Sequence, residues 1–382
     1  MLFSKDVEEI LPVNEAPSNT KRMLRLMPHL LLPSALLITF LTTTAIGADV
    51  EYINNGRGAV PVYLPSNYDG SKPLPLIFSL HGYTDNGPGV ESYFNLSQQV
   101  DSKEFLYCVP QGTTDLSGAP FWNGTDACCD IFNTNVDDSG YLRELIEIIQ
   151  AEYSVDEFSI HFTGISNGGF MSYRMACEHA DLVASIAPLA GVTFLDLADC
   201  SPSEPVHVLH IHGTADSTIE YDGGCFFFSC YPGAEESALT WTDYNGCDLV
   251  GEDGGPAFNL DWDVGGNETT STIYEQNCNQ NATVELWTMT GSEHVPRFRR
   301  NSDGPEQNLF APLISDWLLN HRKPEPFQCD ADLNDDGVID TDDLLAMLSA
   351  WGSNDPAADL DENNIVNIKD LLILLGDFGK VC

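Results

Sequence analysis

The run Gly164-Ile165-Ser166-Asn167-Gly168 constrains this chain more than any other feature, because of what flanks it. Residues 158–163 (FSIHFT) have the β-branched and aromatic content of a strand, and residues 167–180 carry a helical pattern. A serine between glycines at such a junction stands on a sharp strand-to-helix turn, where only small neighbours leave room for the backbone. Its hydroxyl then projects from the end of a sheet. The helix that starts at once aims its first amides at the same spot, so the Asn167 N–H is a candidate oxyanion donor. The competing reading is an ordinary glycine-rich turn, which would need no partners elsewhere.

A serine hydroxyl attacks only when a base takes its proton and a carboxylate orients that base. With the serine on such a turn, the order along the chain is Ser, then Asp or Glu, then His, each after a strand. Residues 58–64, 74–80, 105–109, 206–212 and 284–290 also read as strands. Residues 138–152, with Leu142, Leu145, Ile146 and Ile149 on one face, and residues 306–321 read as helices. This alternation predicts an α/β fold: a mostly parallel sheet with helices on both faces. Asp216 falls just past strand 206–212 and His294 just past strand 284–290, so they are the candidate acid and base. Asp222 and Glu220 lie farther along as alternative acids, and Glu293 reads as a solvated loop charge. The loop after strand 74–80 offers the Tyr83 amide as second oxyanion donor, with Thr84 in reserve. His81, His161, His207 and His210 read as structural, and His212 as shaping the acid loop.

The chain has 382 residues, enough for one large domain and a small one. With 58 acidic and 16 basic side chains its formal net charge is −42, which repels nucleic acid and anionic membranes. A neutral polymer or small ester remains an acceptable substrate. Lys21, Arg22 and Arg25, then the apolar stretch from Leu30 to Ile46, then small residues at 45–48, have the layout of a secretory signal over residues 1–48, with Met23 as an alternative start. Secretion into an oxidising compartment would let the eleven cysteines pair, leaving at least one free. Spacing suggests Cys225–Cys230, Cys247–Cys278 and Cys329–Cys382. The first of these would close a tight loop presenting Phe226, Phe227 and Phe228, expected to bind an aromatic acyl group or an apolar polymer segment.

The motifs Trp122-Asn-Gly-Thr-Asp-Ala-Cys-Cys-Asp130, Val136-Asp-Asp138, Gly164-Ile-Ser-Asn-Gly168, His210-Ile-His-Gly-Thr-Ala-Asp216 and Gly291-Ser-Glu-His294 occur in this order. Over roughly residues 50–320 the chain resembles the secreted esterases of feruloyl esterase and polyhydroxybutyrate depolymerase type. The resemblance implies the α/β-hydrolase fold over residues 49–322 and a Ser166–Asp216–His294 triad needing no catalytic cofactor. It also implies carboxylic esters as substrates: feruloyl or acetyl groups on polysaccharide, or a polyester. Trp122 joins the phenylalanines as a candidate substrate contact. Val295-Pro296-Arg297 and the 224–231 insertion depart from the family pattern and bear on substrate choice. A peptidase on the same fold is a weaker alternative.

Beyond a proline-stiffened linker at 323–328 the chain repeats itself, Asp332–Gly352 matching Asp359–Gly379. Asp332, Asn334, Asp336, Val338 (through its carbonyl), Asp340 and Asp343 have the spacing of a twelve-residue calcium loop, with Gly337 at the turn. Asp359, Asp361, Asn363, Ile365, Asn367 and Asp370 repeat it, with Asn364 at the turn. Residues 329–382 resemble a type I dockerin, which implies two calcium ions and a cohesin-like partner. Leu344, Leu345, Leu348, Leu371, Leu372 and Leu375 are expected to pack its two helices together. A non-catalytic docking or adhesion protein is the rival reading, and the complete Ser, Asp, His order counts against it.

Overall fold

Ten strands form one sheet in the computed structural model, which describes residues 48–226, 229–298, 308–325 and 329–382. In chain order they are β1 (Asp49–Asn54), β2 (Ala59–Leu64), β3 (Leu74–Leu80), β4 (Leu106–Cys108), β5 (Val155–Ile165), β6 (Ser185–Leu189), β7 (His207–Gly213), β8 (Glu252–Asp253), β9 (Thr269–Tyr274) and β10 (Val284–Met289). Their order across the sheet is β1-β2-β4-β3-β5-β6-β7-β10-β9-β8. The six central strands, β4 to β10, pair in parallel, and antiparallel strands close both edges.

Period-two alternation feeds two cores. Leu76, Phe78, Leu80, Val208 and Val284 face one core with helices α2 (Asp138–Glu152), α3 (Asn167–Glu178) and α4 (Ala234–Tyr244). Ile77, Leu209, Ile211 and Met289 face the other, with α1 (Gly87–Phe94) and α5 (Phe310–Asn320). Helix α2 starts where Asp137 caps it by accepting from the Gly140 amide, and buries Leu142, Leu145, Ile146 and Ile149 as the pattern predicts.

Five disulfides are present among the described residues: the three suggested by spacing, plus Cys128–Cys129 and Cys177–Cys200. Cys108 is free and buried in β4. Residues 1–47 of the signal-like segment at 1–48 lie outside the described residues, as do Phe227 and Phe228. Among the described residues no helix is long and apolar enough to cross a membrane. Lys323, which the sequence reading puts in the linker, is buried. Its ammonium bonds the Ala180 carbonyl and the Glu204 carboxylate, and its amide bonds the Phe158 carbonyl (2.8 Å).

Away from the serine, His161 sits fully buried between Ser159 Oγ and Ser185 Oγ (2.8 Å each). Burial, with His207 and His321 close by, pushes its pKa down to about 3. His207 is likewise pushed down to about 3 by burial and by His321. Such a group adds full stability above its unfolded pKa of about 6.5, and loses it as pH falls from there toward the folded value. Urea unfolding between pH 6 and 4.5 is therefore expected to show His161→Gln with a shallower acid loss than wild type, by about 1.4 kcal/mol per pH unit. Equal slopes would show that His161 is not held neutral.

In the C-terminal repeat, helices α6 (Thr341–Ser349) and α7 (Ile368–Asp377) follow the two acidic loops. The core pairs equivalent positions of the two copies: Ala331 with Ala358, Ile339 with Val366, Met347 with Leu374. The expected leucine packing is corrected here. Leu344 and Leu371 are only half-buried, and Leu345, Leu348, Leu372 and Leu375 are exposed. Met347 and Leu374, three residues beyond Leu344 and Leu371, take the inner position on the same helix face.

Candidate active site

Ser166 joins β5 to α3 with φ 55° and ψ −120°, a backbone conformation that costs a non-glycine residue and persists only where its surroundings enforce it. Its amide donates to Leu189 O of β6 (2.8 Å), and its carbonyl accepts from the amides of Gly169 (2.8 Å) and Phe170 (3.0 Å). The glycines are required: a methyl at Gly164 would run into the Gly168 carbonyl, and one at Gly168 into the Leu80 carbonyl.

Asp216 and His294 meet just past the C-terminal ends of the adjacent central strands β7 and β10. His294 Nδ1 lies 2.7 Å from Asp216 Oδ2, and the other carboxylate oxygen accepts from the amides of Thr218 and Ile219 (2.8 Å each). Burial alone would raise the Asp216 carboxyl. Hydrogen bonds from His212, His294 and the Ile219 amide outweigh it and hold the group well below the usual carboxylate range, so it is an anion at any working pH. Among the described residues neither alternative acid, Glu220 nor Asp222, has a hydrogen bond to His294; the Glu220 amide donates to Tyr231 OH (3.1 Å).

One residue here carries no sequence signal. Asp261, buried in the loop before β9, accepts from Ser292 Oγ (2.8 Å) and from the Arg297 amide (3.0 Å), gripping both ends of the turn that bears His294. It comes from an irregular segment 31 and 36 residues away, so no local spacing marks it.

Asn167 is the first residue of α3, where a helical amide has no partner within the helix. Its side chain locks the wall opposite, accepting from the Trp122 amide and donating to the Trp122 carbonyl (2.7 Å each). The Thr84 amide is committed to Pro120 O (2.9 Å), which leaves Tyr83 as the oxyanion candidate from that loop. The Tyr83 hydroxyl bonds Asp115 (2.7 Å) and fixes the residue. His81 braces the same loop: Nδ1 donates to Gly82 O (2.8 Å) and Nε2 accepts from the Gly112 amide (3.0 Å).

Trp122 is not a substrate contact. It is fully buried, its Nε1 donates to His81 O (3.1 Å), and its ring packs on His81, so it shapes the oxyanion loop from beneath. Phe226 is half-buried against Tyr231 (centroids 5.1 Å apart) and thus offers only part of its ring. Below it, Cys128, Phe170, Val192, Ile219 and Tyr231 form a cluster that ties the loops around Ser166 and Asp216 together. A cavity of about 720 Å³ opens beside this cluster, between Thr125, Asp126, Leu195, Asp196, Leu197 and Ser229.

The acidic loops of the repeat are built alike. Asp332 accepts from the amides of Asp336 and Gly337 (3.2 and 2.9 Å), and Asp359 from those of Asn363 and Asn364 (3.1 and 2.6 Å). Gly337 and Asn364 both have positive φ, 89° and 69°, as the turn position demands. Asp343 and Asp370 are fully buried and tie loop start to helix start through the amides of Leu333, Asp340, Asp361 and Asn367 (2.7–3.0 Å). Carboxylate oxygens of Asp359, Asp361 and Asp370 lie within 4.8 Å of one another, close enough to share one ion, and all are hard oxygen donors.

A parallel central sheet, helices on both faces, and a serine elbow and an Asp–His pair that each follow parallel strands of that sheet define an α/β-hydrolase. Residues 53–295 match the family model described as "Putative esterase". The chain belongs to this esterase family. It is similar to feruloyl esterase B of Piromyces equi: 28% identical over 244 residues, 62% of this chain and 42% of the relative. It is 26% identical to feruloyl esterase D of Neurospora crassa over 272 residues, 68% of this chain and 80% of the relative. A third relative is the bifunctional acetylxylan esterase/xylanase XynS20E of Neocallimastix patriciarum, 29% identical over 162 residues, 42% of this chain and 22% of the relative. The chain thus spans less than half the length of the first and third of these. Among solved structures, the acetyl xylan esterase from Aspergillus awamori has a TM-score of 0.48 at 15% identity, covering 71% of this chain and 98% of that one.

Proposed function

We propose that this chain is a secreted serine esterase that removes feruloyl or acetyl groups from a neutral polysaccharide. The Asp216–His294 bond, past the C-terminal ends of the parallel strands of the sheet that also carries the Ser166 elbow, is the observation on which this rests. Ser166 Oγ attacks the ester carbonyl while His294 Nε2 takes its proton, and Asp216 holds the imidazole in the tautomer with Nδ1–H. The amides of Tyr83 and Asn167 receive the oxyanion. His294 then gives its proton to the departing sugar alkoxide, and the same cycle with water releases the acid. The relatives named for feruloyl and acetylxylan esters support these acyl groups. The carboxylates of Asp126 and Asp196 beside the cavity, and the net charge of −42, favour hydroxyl-rich neutral polymers over anionic ones. Five disulfides favour an extracellular setting.

The twin loops support a second assignment: calcium held by Asp332, Asn334, Asp336, Val338 O, Asp340 and Asp343, and by Asp359, Asp361, Asn363, Ile365 O, Asn367 and Asp370. Calcium there would neutralise the loops. The exposed Leu345, Leu348, Leu372 and Leu375 would then be available to a cohesin-like partner.

Methyl ferulate, acetylated xylan, p-nitrophenyl acetate and polyhydroxybutyrate, assayed in parallel, test the substrate. Methyl ferulate or acetylated xylan is expected to show the highest kcat/KM of the natural-type esters. Hydrolysis of polyhydroxybutyrate alone would overturn the polysaccharide reading in favour of a polyester depolymerase.

A further inference from the structure

Behind the catalytic carboxylate lies a buried string of three side chains that the triad chemistry leaves unexplained. The Tyr173 hydroxyl of α3 is 2.7 Å from His210 Nδ1, His210 Nε2 is 3.1 Å from His212 Nδ1, and His212 Nε2 is 2.8 Å from Ile219 O. His212 Nε2 is also 3.4 Å from Asp216 Oδ2, the oxygen that His294 contacts. All three side chains are fully buried. The carbonyl at one end fixes the direction of every bond, because it can only accept. His212 therefore carries its proton on Nε2, His210 Nε2–H donates to His212 Nδ1, and the Tyr173 hydroxyl donates to His210 Nδ1.

We propose that His212 is a positioning residue for the catalytic acid: its single Nε2–H, donated to Ile219 O at 2.8 Å and backed by His210 and Tyr173, also faces, at 3.4 Å, the Asp216 oxygen that orients His294. The proposal rests on the reading of Ser166, Asp216 and His294 as a triad. Its consequence is electrostatic. Without that second N–H the carboxylate's charge would fall on His294 alone, so the acid limb of the activity profile would move to higher pH. The groups facing this pair come from every neighbouring element. Tyr173 stands on α3 and His210 on β7; Tyr221 lies with its ring 5.7 Å from that of His212; Glu220 and Tyr231 follow the acid loop. Burial raises the pKa values of Tyr173, Tyr221 and Tyr231, and burial with His212 nearby lowers that of His210, so these four stay neutral while Asp216 carries the charge.

The test is the pH profile of kcat/KM for p-nitrophenyl acetate with the full chain, alongside imidazole ¹⁵N spectra of the Ser166→Ala protein. His212→Phe is expected to move the acid limb up by about one pH unit. It should also lower the plateau kcat roughly tenfold with KM unchanged, because the acid is left less firmly oriented. His212→Gln keeps an N–H donor and should restore most of both. Tyr173→Phe should move the limb in the same direction by less, and it keeps the question answerable if His212→Phe does not fold. The spectra should show His212 and His210 neutral and protonated on Nε2. An acid limb unmoved in every variant, or His212 protonated on Nδ1, would overturn the proposal. Full activity in the Ser166→Ala protein would instead bring down the triad itself, with the tautomers still readable.

Discussion

Replacing Ser166 with alanine is expected to lower kcat for ester hydrolysis by about 10³-fold or more, roughly 4 kcal/mol of transition-state stabilisation, with the fold intact. The variant removes only an oxygen. Alanine keeps the Cβ, and the bonds that hold the elbow, Ser166 N to Leu189 O and Ser166 O to the Gly169 and Phe170 amides, are made by backbone. His294→Ala is expected to cost a similar factor for a different reason: the hydroxyl stays, but nothing removes its proton. That variant also tolerates the loss structurally, since Asp216 keeps the amides of Thr218 and Ile219 and the His212 imidazole. Asp216→Asn should be severely slowed, because an amide N–H facing His294 Nδ1 favours the wrong tautomer. The three losses should not add, as the groups act as one unit. Circular dichroism and melting of each variant, measured beside turnover of p-nitrophenyl acetate, separate chemistry from folding. Near wild-type turnover in either Ser166→Ala or His294→Ala would remove the assignment.

The site was legible where local chemistry dictates geometry. Gly164 and Gly168 are glycines because carbonyls occupy the space of a side chain, so the elbow shows in the sequence. Asp216 and His294 stand one short loop past apolar strands, which makes their placement readable once those strands are found. Strand β6 escapes because Pro188 sits inside it, a residue that argues against a central strand, and the polar run TTSTIY of β9 lacks a clear apolar face. Trp122 misleads for a related reason: aromatic residues in site motifs suggest contact with substrate, yet this one is spent on holding His81 and Asn167. Asp261 acts on backbone far along the chain and leaves no pattern at all. The repeat shows both sides of the matter. Its loops and turn positions follow from spacing, whereas a helix rich in leucine on several faces does not reveal that Met347 and Leu374 turn inward.

Chelation of calcium is expected to unfold residues 329–382 while the esterase fold and its activity persist. The repeat has a core of six fully buried apolar side chains, too small to outweigh the conformational entropy of its chain unaided. Thirteen Asp and Glu side chains stand there against Lys369 and Lys380, and the loops gather those carboxylates at close range. Without a cation they repel one another. With one, repulsion turns into coordination, and binding free energy becomes folding free energy. Asp343 and Asp370 couple the two events: each sits at a loop's last position and, through the amides of Asp340 and Asn367, caps the helix that follows. The Cys329–Cys382 bond joins the ends of the segment in either state, so it limits the entropy of the unfolded form and should make the transition reversible. Hydrogen exchange on the full chain, in millimolar calcium and in excess chelator, reads the outcome, with ester hydrolysis followed in the same samples. Amides of Ile339, Gly352, Val366 and Gly379, which bond across the repeat, should lose protection in chelator and regain it with calcium. Asp343→Ala combined with Asp370→Ala should abolish that response. Protection unchanged by chelation would defeat the metal assignment, and loss of hydrolysis in chelator would show that the repeat supports the esterase site.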